Sequence, residues 1–521
     1  MTGGEMEDVV AGVTTGRVLL VAVIALPALG AGVLALRPAR FARNAASGAV
    51  AFSGLTMLAS LGLVMGRQSG ADRDWQSVDL SWVPAIGLRF HIGVDGISLP
   101  LVLLTTVLTF LCALYTMHSM PAPGRPGTML SLVLLLEVGM VGTFLARDLL
   151  LFFVFFEIVL VPMYFLIAVW GGTASRHAAT KFVLYTLLGS VLLLVGILVI
   201  YAGAGTLDMG ELAQGGAGAG MAKSTQILAF ALVFLGLAVK SPLWPLHTWL
   251  PDAHTEAPTV GSVLLAGVLL KMGTYGIVRI GISILPEGAR RLAPTMAVLA
   301  VAGILVGALC CYVQTDLKRL IAYSSVGHMG FVLLGLSTLT ATGVQAALIG
   351  NIAHGVITGL LFFLVGGIKD RFGTSEMSDL GGGIGTRLPL LSGLLTFTAI
   401  ASLGLPGLAA FWGEAFAIAA AYRPDAGLAR MPYVVLAGLA AIGAALAAAY
   451  FLRMLRIVVA RPPDANPRAT GVRLAVADVT PLEAASWAPL VVLALAIGLF
   501  PALVLTWTGP AVDLLIRAYA G

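Results

Sequence analysis

The sequence predicts an all-α polytopic membrane protein of about fourteen transmembrane helices with two inverted five-helix repeats. Three observations carry this prediction. The 521 residues are 59% hydrophobic and 11% charged, whereas ordinary soluble domains carry roughly 25% charged residues. Apolar runs of about 20 residues, enough to cross a ~30 Å hydrocarbon core as helix, recur along the whole length. Among the ionisable residues in those runs, seven stand out: Glu137, Glu157, Lys240, Lys271, His328, His354 and Glu414. Ionisable groups in such places are expensive and mark functional sites. Together they suggest a route for protons through a membrane.

The runs fall near 17–37, 46–66, 97–118, 127–146, 149–170, 177–201, 226–246, 259–282, 293–313, 319–337, 343–367, 387–421, 431–458 and 486–510. They divide the chain into residues 1–126 (spans 1–3), 127–282 (spans 4–8), 283–458 (spans 9–13) and 459–521 (a loop and span 14). The longest loops, near 67–96, 202–225 and 459–485, are too short for a soluble catalytic domain. The N-terminus, MTGGEMEDVV, is acidic, unlike the positive start of a cleaved signal peptide. With the N-terminus outside, the cytoplasmic loops hold sixteen basic residues against eleven outside. The densest clusters are Arg37, Arg40 and Arg43, then Arg453, Arg456, Arg461, Arg468 and Arg473. The positive-inside bias therefore predicts both termini outside. The arginines are scattered over loops, so the basic balance says little about nucleic acid; lipids are the expected surroundings, with no nucleic-acid partner.

Only Cys112, Cys310 and Cys311 occur, all in apolar runs. No spacing fits an iron–sulfur cluster or zinc. The glycine cluster GGGIG at 381–385 follows no strand and implies no dinucleotide fold. No metal or redox cofactor is expected in this chain.

The chemistry concentrates in a few spans. The chain has six lysines and 24 arginines, so lysine at mid-span is a choice. Arginine stays charged, whereas lysine can release its proton. Lys240 stands beside Pro242 and Pro245 in span 7. Proline has no N–H, so the carbonyls of Ala238 and Ser241 are expected to lose their usual partners. A broken mid-membrane helix offers backbone dipoles to ions or water. The bland alternative is a lysine that snorkels to the interface. Span 12 repeats the idea with Gly404, Pro406, Gly407 and then Glu414; a packing kink is its alternative. Glu157 in span 5 and Glu137 in span 4 are buried carboxylates that could equally be neutral helix–helix hydrogen bonders. Lys271 shares one face of span 8 with Gly267, Thr274 and Tyr275. His328 lies four residues after Ser324, and His354 lies between Asn351 and Thr358. A membrane histidine is often a packing group, but two on successive spans favour a relay.

Internal symmetry is faint. RDLLLFFVFFE from Arg147 and TDLKRLIAYSSVGH from Thr315 each place Asp-Leu nine to twelve residues before Glu157 or His328. Five spans per copy requires the copies to be inverted.

HTWLPDAHTEAPTVGSVLLAGVLLKMGTYG (247–276), DLKRLIAYSSVGHMGFVL (316–333), NIAHGVITGLLFFLVGGI (351–368) and SLGLPGLAAFWGE (402–414) resemble the antiporter-like subunits of respiratory complex I. The resemblance covers essentially the whole chain. It implies a proton-translocating membrane-arm subunit, with Glu137, Glu157, Lys240, Lys271, His328, His354 and Glu414 at the family's functional positions. Of the three sister types, L, M and N, the acid at Glu414 points to the M type. So do the length and a C-terminus without the long lateral extension of L. The partners implied are the sister chains L and N and other membrane subunits, in a bacterial plasma membrane. NADH, FMN, iron–sulfur clusters and quinone are implied in partner subunits. Rival readings are a subunit of a multisubunit cation/proton antiporter or membrane-bound hydrogenase, a structural spacer, and a stand-alone transporter.

Overall fold

The computed structural model describes residues 3–36, 44–65, 74–214, 220–380, 384–462 and 478–520, with side chains from 15 to 517. Arg37, Arg40, Arg43, Arg468 and Arg473 of the charge-bias reading lie outside the described residues, as do Gly381–Gly383 and Gly521.

Thirteen described helices are long and apolar enough to cross a membrane. Spans 1–3 are Thr15–Leu36, Ala45–Met65 and Ser98–Thr116. Spans 4–8 are Pro126–Leu145, Leu149–Trp170, Ser175–Ala204, Lys223–Lys240 and Thr259–Ile282. Spans 9–11 are Pro286–Val313, Leu317–Ser337 and Ala341–Phe372, and spans 13 and 14 are Arg430–Val458 and Pro481–Leu499. At the position of the expected span 12 lie two shorter helices, Pro389–Ser402 and Ala409–Tyr422. The expected single last helix over 486–510 is two: after Leu499, Pro501 interrupts the ladder, and a further helix runs Ala502–Ala520. Spans 8 and 11 form the centre, with 94% of their most apolar stretches buried. These spans carry Lys271 and His354.

One element lies outside the all-helical expectation. The segment between spans 2 and 3 contains an antiparallel hairpin, β1 (Gln76–Val83) and β2 (Leu88–Val94). Gly87 takes a left-handed φ of 68° at its turn. The strands are short and only partly alternating, so they read as loop. Their base is pinned by ions. Asp95 pairs with Arg147 at 3.5 Å and with Arg279 of span 8, and Asp74 pairs with Arg147 at 2.6 Å. Burial opposes ionisation of Asp95, but Arg279 and Arg147 outweigh it and hold its carboxyl well below the usual carboxylate range.

The two Asp-Leu starts noticed in the sequence have the same local structure. Asp148 caps span 5 by accepting from the Leu150 and Leu151 amides, and Asp316 caps span 10 by accepting from Arg319. Before span 5, Leu149 donates to Leu207 at 2.9 Å and Met209 to Arg147 at 2.8 Å. Before span 10, Leu317 donates to Ser375 at 2.9 Å and Met377 to Thr315 at 2.8 Å.

Candidate functional site

Span 7 stops at Lys240, and a stretch of turns leads to the short helix Leu250–Glu256. One detail of the sequence reading is corrected here. The Ala238 carbonyl is not freed: it accepts from the Leu243 amide at 3.0 Å, five residues on. The neighbouring Val239 carbonyl accepts from the Trp249 indole at 3.0 Å. The break is therefore closed by its own residues around a lysine that is 3% exposed.

Glu157 and Lys240 are not in ion-pair contact among the described residues. The Glu157 carboxylate accepts a hydrogen bond from Ser190 of span 6. The Lys240 ammonium lies over the Phe156 ring, 4.8 Å from its centroid. Glu157 nonetheless remains within Coulombic range of Lys240. The aromatic face takes the place of an anion, which sequence spacing could not foresee because Phe156 and Lys240 meet across two spans.

Lys271, His354, His328 and Glu414 are brought together. Span 8 departs from regular α-helix on both sides of Lys271, with π-helical stretches at Leu265–Leu269 and Ile277–Ile282; such widenings gather at functional sites. The Lys271 ammonium bonds the Ala266 carbonyl and lies 2.6 Å from His354 Nδ1. Close approach of the two spans depends on glycine: a Cβ at Gly355 would sit 2.8 Å from the Gly267 carbonyl. Beside this contact Thr274 donates to Asn351 at 3.1 Å. The His354 and His328 rings follow, 5.5 Å between centroids. His328 Nδ1 is 3.0 Å from Glu414 Oε1, and its Nε2 is 3.0 Å from Ser402 Oγ. Gly404 makes this end possible. Its φ is +69°, and Glu414 Oε2 would lie 2.5 Å from a Cβ there. A cavity lined by His328, His354, Thr358, Ser402 and Glu414 holds space for about one water-sized probe, 20 Å3.

Glu137 stands apart. It is fully buried, and neither carboxylate oxygen has a hydrogen-bond partner among the described residues. The structure adds groups the sequence reading left out. His254 is buried and stacks on Phe362 at 4.5 Å, and neither ring nitrogen has a hydrogen-bond partner among the described residues. It lies within Coulombic range of both Lys271 and Lys318. The Lys318 ammonium is buried and donates to the Ala257 carbonyl at 2.6 Å. Both residues sit inside motifs quoted above; the signal was an ionisable residue in an apolar motif, masked because each lies near a span end. Among the described residues no three His, Cys, Asp or Glu are grouped to hold a metal. The Cys112 thiol faces the Val260 carbonyl and Cys311 the Leu320 carbonyl.

Broken spans 7 and 12 frame a Lys–His–His–Glu line, buried at Lys271 and His354 and half-buried at His328 and Glu414, in a protein with thirteen described helices apolar enough to cross a membrane. Residues 146–440 match the family described as NADH:quinone oxidoreductase/Mrp antiporter, TM. The chain is 37% identical to NADH-quinone oxidoreductase subunit M of Rhodobacter capsulatus, over 99% of this chain and 97% of that one. A solved chain in respiratory complex I from Thermus thermophilus with bound NADH superposes with a TM-score of 0.84. It is 30% identical, over 96% of this chain and 100% of that one. A chain of the Mrp complex from a Dietzia species gives 0.81 at 26% identity, over 97% and 99%. The chain belongs to this family, among the antiporter-like subunits of respiratory complex I.

Proposed function

We propose that this chain moves protons across a bacterial plasma membrane as the M-type subunit of the membrane arm of NADH:quinone oxidoreductase. The observation that carries the reading is the line Lys271–His354–His328–Glu414, with contacts of 2.6 Å and 3.0 Å at its ends and a ring separation of 5.5 Å between. Glu157 and Lys240 form the entry pair. In the described arrangement they are parted, Glu157 held by Ser190 and Lys240 by Phe156. When Glu157 swings to Lys240, its charge stabilises the ammonium; when it returns, that stabilisation is withdrawn and the proton moves to Lys271. His354 and His328 conduct it, and Glu414 passes it to the exit. Glu137 is a further buried carrier on span 4. Moving one charge against 100 mV costs about 2.3 kcal/mol, so the step needs a driving force. That comes from NADH oxidation and quinone reduction in partner subunits that hold FMN and iron–sulfur clusters; this chain supplies no redox centre. Sister L and N chains flank it, and both termini face outside.

Residues 127–282 and 283–458 act as two inverted copies. Support comes from the matched pairs of amide bonds before spans 5 and 10. Those two starts lie on opposite faces, because five crossings separate them. Spans 1–3 (1–126) and the last segment (459–521) complete the bundle.

The test is NADH-driven proton uptake in membrane vesicles, normalised to assembled complex. Lys271→Ala should assemble and fail to pump; normal pumping would refute the line. A second reading, a subunit of a multisubunit cation/proton antiporter, draws on the likeness to the Mrp chain. Cation-driven proton exchange without NADH in the same vesicles would favour it.

A further inference from the structure

Away from the Lys–His–Glu line, a cavity of about 860 Å3 lies between the end of span 12 and the start of span 13. Its wall is mostly apolar, with Ile418 on one side and Val434, Gly438 and Ala441 on the other, and Thr340 and Thr342 add hydroxyls. A Cβ at Gly438 would meet nothing within 4 Å, so open space faces this helix. The lining on this helix runs from Val434 to Ala441, about 10 Å at 1.5 Å per residue, so the cavity is an open groove along the helix.

The mouth carries positive charge. Arg423 lines it, is exposed, and pairs with no described residue. Arg430 is held nearby over the Tyr422 ring, 4.9 Å from its centroid. Arg290 of span 9 reaches Gly427 in the same turn, where a Cβ would sit 3.4 Å from its Nε. The acid of this loop, Asp425, accepts from the Gly427 amide at 2.9 Å.

We propose that this cavity binds an anionic phospholipid, one acyl chain in the slot between Ile418 and Gly438 and its phosphate at Arg423. A groove about 10 Å long, walled mainly by small and aliphatic residues, matches a stretch of a single hydrocarbon chain. A free guanidinium at the membrane face matches a phosphate. Arginines at such a surface each favour anionic lipid by about 1 kcal/mol. The lipid would pack on the half-helix that carries Glu414, one turn before Ile418.

The experiment uses the chain in its native assembly, reconstituted with phosphatidylglycerol and phosphatidylcholine, and counts retained lipids by native mass spectrometry. Gly438→Leu and Ala441→Leu fill the slot at two depths. Each assembled variant should lose one tightly held phosphatidylglycerol. Arg423→Gln should keep a lipid but lower its preference for phosphatidylglycerol about fivefold. An unchanged count in both slot variants overturns the proposal. So does equal retention of phosphatidylcholine by the unmodified protein. A density map of the assembly with a partner subunit's side chain filling the slot does the same.

Discussion

Lys271 Nζ lies 2.6 Å from His354 Nδ1, a contact that joins spans 8 and 11 through ionisable groups. The contact needs one donor and one lone pair, so one nitrogen donates and the other accepts. If Lys271 donates to Nδ1, the His354 hydrogen is on Nε2. That nitrogen is buried and has no hydrogen-bond partner among the described residues. It borders the small cavity shared with His328 and Glu414.

Loss of this contact should stop conduction without unfolding the bundle. Lys271→Ala is expected to lower normalised NADH-driven proton uptake by at least about tenfold, within the range of lost acid–base groups. His354→Ala should cost less, because a water can stand in the vacated volume. Equal pumping by all three proteins would remove the contact from the route.

Glu157→Ala should assemble yet strongly impair coupled NADH–quinone turnover, and Glu157→Asp should keep part of it. Ser190→Ala tests the observed resting partner of Glu157. It should change turnover by roughly two- to threefold, the size of one hydrogen bond. Lys240→Arg keeps the charge but holds its proton, so impaired pumping is expected. Wild-type pumping in Lys240→Arg would show that no proton leaves this residue.

At the far end, Glu414→Gln preserves shape and the contact to His328 but removes titration. Normal assembly with reduced pumping is expected. Glu414→Lys should be milder than Glu414→Ala, because a lysine can also carry a proton. Gly404→Ala should resemble Glu414→Ala, since the added methyl would collide with the carboxylate and strain a left-handed φ. Unchanged proton uptake in both Gln and Ala variants would make Glu414 a packing residue.

His254 supplies a test of what the sequence reading missed. Its unpartnered ring nitrogens lie within Coulombic range of Lys271 and Lys318. A carrier role predicts that His254→Phe, which keeps the stack on Phe362, pumps poorly in an assembled complex. A purely structural ring predicts that it pumps normally.

The hairpin should respond to pH. His91 Nδ1 is 2.6 Å from Asp208 Oδ2. Burial lowers the imidazole pKa, but the hydrogen bond and charge of Asp208 outweigh it and raise the value above 6.5. A raised folded value stabilises the contact fully below the unfolded value, near ~6.5. That stabilisation is lost as pH rises through the folded value. Hydrogen exchange of amides 207–212, corrected for intrinsic rates, should therefore quicken from mildly acidic to alkaline pH. In His91→Gln the trend should vanish; a persistent trend would assign it elsewhere.

Much of this was legible because a bilayer is a severe solvent. Fourteen crossings follow from run length, and the broken spans follow from Pro242, Pro245, Gly404, Pro406 and Gly407, since proline and glycine act locally. Lys240, Lys271 and Glu414 stood out because charge among apolar neighbours needs no partner to be conspicuous. The hairpin was not legible: its strands are stabilised by Asp95, Arg147 and Arg279, which are distant in sequence.

By itself, then, the sequence determined which runs are long and apolar enough to cross a membrane and which ionisable residues lie in them, because hydropathy and side-chain chemistry are properties of single residues and short runs. Only the tertiary structure decided who meets whom. It placed Glu157 on Ser190 and Lys240 on Phe156, joined Lys271 to His354 and His328 to Glu414, and left Glu137 without a partner. Those pairings depend on helix rotation and on glycines that let spans approach, and both are fixed by packing between segments far apart in the chain.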